Sequence, residues 1–222
     1  MSQLFAGLFV EGTTDISFLS SIVERTLQNV AFDCKGEIDL EVKEIKIDKS
    51  GLSFCDQVVM ASEKGFSEFG ITILCVHSDA DNKKLEDTYQ NRINQAIDRL
   101  MQLEAKQYCK ILVAIVPIQE TEAWMLADKE LLKNEIGTDK SDNELEINRQ
   151  PESIARPKEV IENAIRIARE NYTRKRRKDL TIGDLYLPVG QAMSLDKLEK
   201  LESYRDFKNN VKEAFKTLNL LQ

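Results

Sequence analysis

The chain has 222 residues, 42% of them hydrophobic and 31% charged, with nine glycines and four prolines, which is the balance of a globular protein able to bury one elaborated core or two small ones. Fibrous, collagenous and disordered classes are excluded by these proportions, and no apolar run approaches the roughly 20 residues of a membrane helix. The net charge of −7 is unevenly spread, −12 over residues 1–148 and +5 over residues 149–222. The first part would therefore repel a polyanion, whereas the second carries five consecutive cations, Arg174, Lys175, Arg176, Arg177 and Lys178, a run that can meet phosphates.

In chain order, residues 5–10 form a short apolar strand that stops at Glu11-Gly12, and residues 15–29 carry Phe18, Leu19, Ile22, Val23 and Leu27 at helical spacing. Leu40, Val42, Ile45 and Ile47 mark a second extended stretch ending in the turn Asp48-Lys49-Ser50-Gly51, and a helix with Phe54, Val58 and Val59 follows. Residues 71–76 are almost all apolar and β-branched, as in a strand buried on both faces. They end in His77-Ser78-Asp79-Ala80-Asp81, with a helix over residues 85–107 beyond. A fourth strand over 111–116 stops at Pro117, and residues 120–134 read as helix.

Four β-α units in succession predict an α/β fold: a parallel sheet of about four strands, covered by helices on both faces and occupying residues 1–137. Residues 138–152 read as an acidic polar linker or loop. Residues 153–222 form a helical region, with Pro157 in the first turn of one helix and Ser203 to Asp206 resembling a capping box at the start of another. Cys34, Cys55, Cys75 and Cys109 show no CxxC spacing and have one histidine beside them in the whole chain. Neither a zinc site nor a disulfide framework is suggested; they read as reduced, mostly buried thiols. A start without a basic n-region points to a cytoplasmic protein.

In a parallel sheet the strands end on one edge, where ligands gather. Here the strand ends are acidic: Glu11 after the first, Asp48 after the second, Asp79 and Asp81 after the third, Glu120 and Glu122 after the fourth. Clustered like charges raise one another's pKa unless something positive intervenes. Oxygen donors with a single histidine select a hard ion, Mg²⁺ with Mn²⁺ as substitute.

The segments LFVEGTTD and ILCVHSDAD resemble the Toprim domains of topoisomerases, primases and OLD-type nucleases, over about residues 4–134. PIQETEAWMLAD, residues 117–128, is similar to the signature of a bacterial group of small stand-alone Toprim-like proteins. The resemblance implies a Mg²⁺-dependent nuclease with Glu11, Asp79 and Asp81 as catalytic metal ligands. Asp15 stands where many relatives have Glu, and Lys49 stands for a catalytic lysine. It further implies an ABC-type or AAA-type ATPase partner encoded nearby and a role in antiphage defence.

Glu120 and Glu122 lie about 200° apart if both are helical, and the signature favours Glu122 as the metal ligand. Arg174–Lys178 would hold the nucleic-acid backbone. His77 and Trp124 read as structural residues. A phospho-receiver module also places Asp after its third strand, but it needs a fifth strand and a following lysine, and neither is found. A non-catalytic subunit that regulates a partner ATPase is the alternative.

Overall fold

The computed structural model describes residues 2–80, 84–104, 106–173 and 179–221; Asp81 and the basic run 174–178 lie outside the described residues. Four strands, β1 (Ser2–Phe9), β2 (Ile38–Glu44), β3 (Ile73–His77) and β4 (Ile111–Ile115), form an all-parallel sheet in the order β2-β1-β3-β4. Its register sets Ala6 beside Val42 and Ile73, and Cys75 beside Val113. The helices α1 (Thr13–Ala31) and α2 (Phe54–Phe69) make the first two crossovers. The third is made by α3 (Leu85–Thr88), a π-helical turn (Tyr89–Ile93) and α4 (Asn94–Met101).

Both sheet faces are covered, which is why β3 is apolar up to its final residue, His77, and buried at all five positions. Alternation along β3 sends Ile73 and Cys75 into one core with Phe18, Leu19 and Ile22 of α1, and Leu74 and Val76 into another with Val58 of α2 and Ala96 of α4.

After β4 the expected continuous helix is instead two: α5 (Glu122–Met125) and α6 (Lys129–Ile136). The break occurs because Asp128 leaves the helical conformation and caps α6, its carboxylate accepting from the Leu131 N–H at 3.2 Å. Residues 138–150 have neither helix nor strand, yet Leu145 and Ile147 are fully buried in the same core as α1 and β1. The acidic stretch thus wraps the fold with two apolar anchors.

The remaining α-helices among the described residues are α7 (Pro157–Ala168), α8 (Tyr186–Ala192), α9 (Leu195–Leu198) and α10 (Glu202–Thr217). They share the core of the sheet's α1 face, through Ile161, Val189, Tyr204, Phe207 and Phe215 among others. Trp124 is completely buried against Tyr204 and Phe207, with its indole N–H donating to Ser203 Oγ at 2.8 Å.

The expected capping box at Ser203 does not form, because the helix already includes Glu202 and is capped from another segment. Glu152 accepts from the backbone N–H groups of Glu202 (2.8 Å) and Ser203 (2.9 Å) and from the Ser203 hydroxyl (2.6 Å). Such a carboxylate satisfies orphan donors and favours the positive end of the helix.

The seam between α1 and α8 brings a helix backbone into direct contact with its neighbour. A Cβ at Gly190 would lie 2.4 Å from the Phe18 carbonyl oxygen and 2.8 Å from its Cα. Arg25 on α1 crosses the same seam, donating to the carbonyls of Met193 (2.6 Å) and Gly190 (2.8 Å) at the C-terminal end of α8, where a cation is favoured. Gly190→Ala is expected to cost at least about 1–3 kcal/mol through overpacking against backbone, at roughly 2–4 °C of Tm per kcal/mol in a chain of this size. Thermal unfolding followed by Trp124 fluorescence measures it; an unchanged Tm would mean that the two helices are not in close contact.

All four cysteines are free, Cys75 and Cys109 buried, Cys34 and Cys55 partly so. Burial pushes the Cys109 thiol up to about 12 and Cys75 higher, so neither offers thiolate near neutrality. Titration with a thiol reagent at pH 8 is expected to leave these two unmodified in the native protein and to reach all four in denaturant.

Candidate metal and phosphate site

At the end of β1 the chain turns through Glu11-Gly12 into α1, and the Asp15 carboxylate Oδ2 accepts the Gly12 N–H at 2.9 Å. A side chain at Gly12 would meet that same oxygen at 2.7 Å. Lys49, from the turn after β2, reaches under this corner, donating to the carbonyl oxygens of Val10 (2.5 Å) and Glu11 (2.8 Å), with its ammonium 4.9 Å from the Phe9 ring centre. Burial lowers the Lys49 pKa, against the opposing charges of Glu11 and Asp15. The lysine is therefore at the site, where it pins the backbone that carries Glu11.

Pairing of β3 with β4 continues beyond the strands, Ser78 N–H to Ile115 O at 3.0 Å and Ala80 N–H to Pro117 O at 3.2 Å. This brings Asp79 to the segment after β4, where the Thr121 N–H donates to Asp79 Oδ1 at 3.0 Å. Gln119, just before, holds a left-handed conformation at φ 73°, a strained turn of the sort found at functional sites. His77 is fully buried between the acids: Nε2 lies 3.1 Å from Asp79 Oδ1 and 3.0 Å from Thr121 Oγ1, and Nδ1 faces Asp15 Oδ2 at 3.7 Å. Burial by itself would lower the His77 pKa; the hydrogen bond and charge of Asp79, with the charges of Asp15 and Glu11, outweigh it and the net shift is upward.

Glu120 and Glu122 complete the edge. Burial is the main cause that raises the Glu120 pKa, followed by the charges of Glu122 and, more weakly, Asp79; the Lys158 amide and ammonium oppose the rise. Burial likewise raises Glu122, and Asp79 adds to it, although a hydrogen bond donated by the Tyr186 hydroxyl of α8 favours the carboxylate form. One oxygen of Glu120, Oε2, is buried without a hydrogen-bond partner. Such an atom is costly unless something positive reaches it.

The edge therefore collects Glu11, Asp79, Glu120 and Glu122, which follow strand ends, together with Asp15 and Lys49, the two positions that the resemblance added. Asp48 does not join them: it is exposed and accepts the Ser50 N–H of its own turn at 3.0 Å. Among the described residues, no three histidine, cysteine, aspartate or glutamate side chains are already drawn together as a metal-holding group. The hydrogen bonds explain why. Glu11 is paired with Arg92, Asp15 Oδ2 with Gly12, Asp79 Oδ1 with Thr121 and His77, and Glu122 with Tyr186.

Arg92, Thr121, Tyr186 and Lys158 were not marked by the sequence. Arg92 and Tyr186 stand on helices and lie 81 and 64 positions from the acids they meet, with no motif around them; only the adjacency of Thr121 to the two glutamates could have drawn notice. Comparison of the chain with protein-family models, with curated proteins and with solved structures found no match.

The direction of the glutamate shifts fixes a pH dependence. A carboxyl whose folded pKa lies above its unfolded value supports the fold fully below the unfolded value and loses that support as pH rises through the folded one. In metal-free protein, Glu122→Gln keeps an acceptor for Tyr186 and removes the charge. It is expected to raise Tm at pH 7–8 and to flatten the decline of Tm from the ordinary carboxyl range upward. Parallel Tm profiles for the two proteins would show that Glu122 carries no buried charge.

Proposed function

We propose that the chain is a Toprim-like, Mg²⁺-dependent nuclease that hydrolyses nucleic-acid phosphodiester bonds, with Mn²⁺ able to substitute. The observation that carries this reading is the incompletely relieved negative charge at the sheet edge: partly buried Glu120 and buried Glu122 with raised pKa, an orphaned Glu120 oxygen, and Asp15 and Asp79 on either side of one histidine. Like-charged carboxylates are not gathered for stability, and a hard cation is the partner that an all-oxygen donor set fits.

Glu11, Asp79 and Asp81 would hold a first ion, and Asp15 with Glu122 or Glu120 a second. When bound, such ions activate water, neutralise charge on the phosphoryl group and stabilise the leaving oxygen. The chain's own residues supply placement. His77 and Thr121 orient Asp79, the Gly12 amide orients Asp15, Tyr186 orients Glu122, and Lys49 locks the turn that presents Glu11. Basic residues 174–178 would contact the nucleic-acid backbone away from the reacting bond.

From the resemblance of the motifs, the nuclease acts with an ABC-type or AAA-type ATPase in antiphage defence. One observation favours a second reading, a regulatory subunit without catalysis: Glu11 already has a cationic partner in Arg92.

Incubation with DNA and RNA in Mg²⁺, Mn²⁺ or EDTA, with and without the ATPase, separates the two. Metal-dependent cleavage that falls at least about 100-fold in Asp79→Ala is expected; a loss of ~2.7 kcal/mol of transition-state stabilisation corresponds to that factor. Equal cleavage by wild type and variant would assign the activity to a contaminant. Assembly with the ATPase without any cleavage would favour the regulatory subunit.

A further inference from the structure

The cations that reach the acidic edge among the described residues are Lys49, Lys158 and Arg92, and they are not equivalent. The Lys49 ammonium is committed to two backbone carbonyls of the β1–α1 turn. Lys158 sits at the exposed start of α7 and acts on Glu120 and Glu122. Arg92 comes from the far side of the edge, its guanidinium carbon 4.3 Å from the Phe54 ring centre, and reaches Glu11 with one terminal nitrogen. Its side chain is 28% exposed, so part of the fork remains open to solvent beside Glu11.

The mount is as distinctive as the contact. Arg92 belongs to the π-helical turn Tyr89–Ile93, an irregularity frequent at functional sites. Ile93 is buried beside it, and Tyr89 anchors the other end, donating its hydroxyl to Asp206 and accepting from the Asn210 amide at 2.6 Å, both on α10. A long, flexible side chain is thus aimed at the acidic edge from a backbone clamped on two sides.

We propose that Arg92 is a phosphate-binding residue of this site, held in reserve on Glu11 until that carboxylate turns to a divalent cation. This rests on the metal-dependent reading above and adds the group that receives the substrate. Glu11 cannot fully serve both partners. When it turns to a cation, the guanidinium loses its counter-ion next to the place where a phosphodiester must sit. A planar fork of donors matches two phosphate oxygens, as an ammonium does not. Stacking on Phe54 keeps the plane of the fork fixed in either state.

The test compares wild type, Arg92→Ala, Arg92→Lys and Asp79→Ala. Mn²⁺ uptake is measured by calorimetry, and affinity for single-stranded DNA and RNA oligonucleotides by fluorescence anisotropy in Ca²⁺. Trp124 emission checks that each variant is folded. With its competitor removed, Glu11 in Arg92→Ala is expected to bind Mn²⁺ several-fold more tightly, while oligonucleotide affinity falls about tenfold, the scale of a charged hydrogen bond. Arg92→Lys keeps the charge without the fork and should recover only part of the oligonucleotide affinity; should Arg92→Ala fail to fold, the same comparison of Arg92→Lys with wild type decides.

Unchanged Mn²⁺ and oligonucleotide affinities in the Arg92 variants, with Mn²⁺ uptake lost in Asp79→Ala, would overturn the role of Arg92 and leave the metal site standing. Absence of Mn²⁺ uptake by the wild type would overturn both.

Discussion

Repulsion between carboxylates is the constraint on which this structure turns. Parallel strands end together, so acids placed after β1, β3 and β4 must meet, and the fold manages the encounter with partners from four directions. His77 lies buried between Asp15 and Asp79, Arg92 reaches Glu11, the Gly12 and Thr121 amides point at aspartates, and Tyr186 closes on Glu122. The compensation is incomplete at Glu120 and Glu122, whose pKa values remain raised and one of whose oxygens has no partner. A fold selected only for stability would have replaced such groups with apolar ones of similar size.

The C-terminal helices are part of the same arrangement. Tyr186 stands on α8, which is fastened to α1 by Arg25 and by the close approach at Gly190. Asp206 and Asn210 on α10 hold Tyr89, and thereby the turn that carries Arg92. Two of the residues that address the acidic edge therefore depend on helices lying 60 residues or more further along the chain than the last strand. The segment between, rich in acidic and polar residues, contributes Leu145 and Ile147 to the common core. Sheet and helical region fold around one interior.

The two cationic side chains near Glu11 divide their labour by geometry. Lys49 binds carbonyl oxygens of the backbone and cannot leave without exposing them, so its charge is fixed at the β1–α1 turn. Arg92 binds a side chain that can rotate. That difference, invisible in composition, separates a fixed charge from an exchangeable one.

Much of the fold was legible because its physics is local or periodic. Apolar runs at 71–76 and 111–116, helical spacing in α1 and the terminal turns specify four β-α units, and a parallel sheet then forces Glu11, Asp79 and the Glu120–Glu122 pair to one edge. Trp124 in an apolar helical stretch was readable as core for the same reason. What depended on contacts between distant segments was not: the helix break at Asp128, the capping of α10 by Glu152 in place of its own Ser203, and the arrival of Arg92 and Tyr186 at the acids. Sequence determines which groups the strand ends must bring together; only tertiary packing decides which groups come from elsewhere to meet them, because an ion pair or hydrogen bond across 64 or 81 positions has no periodicity to betray it.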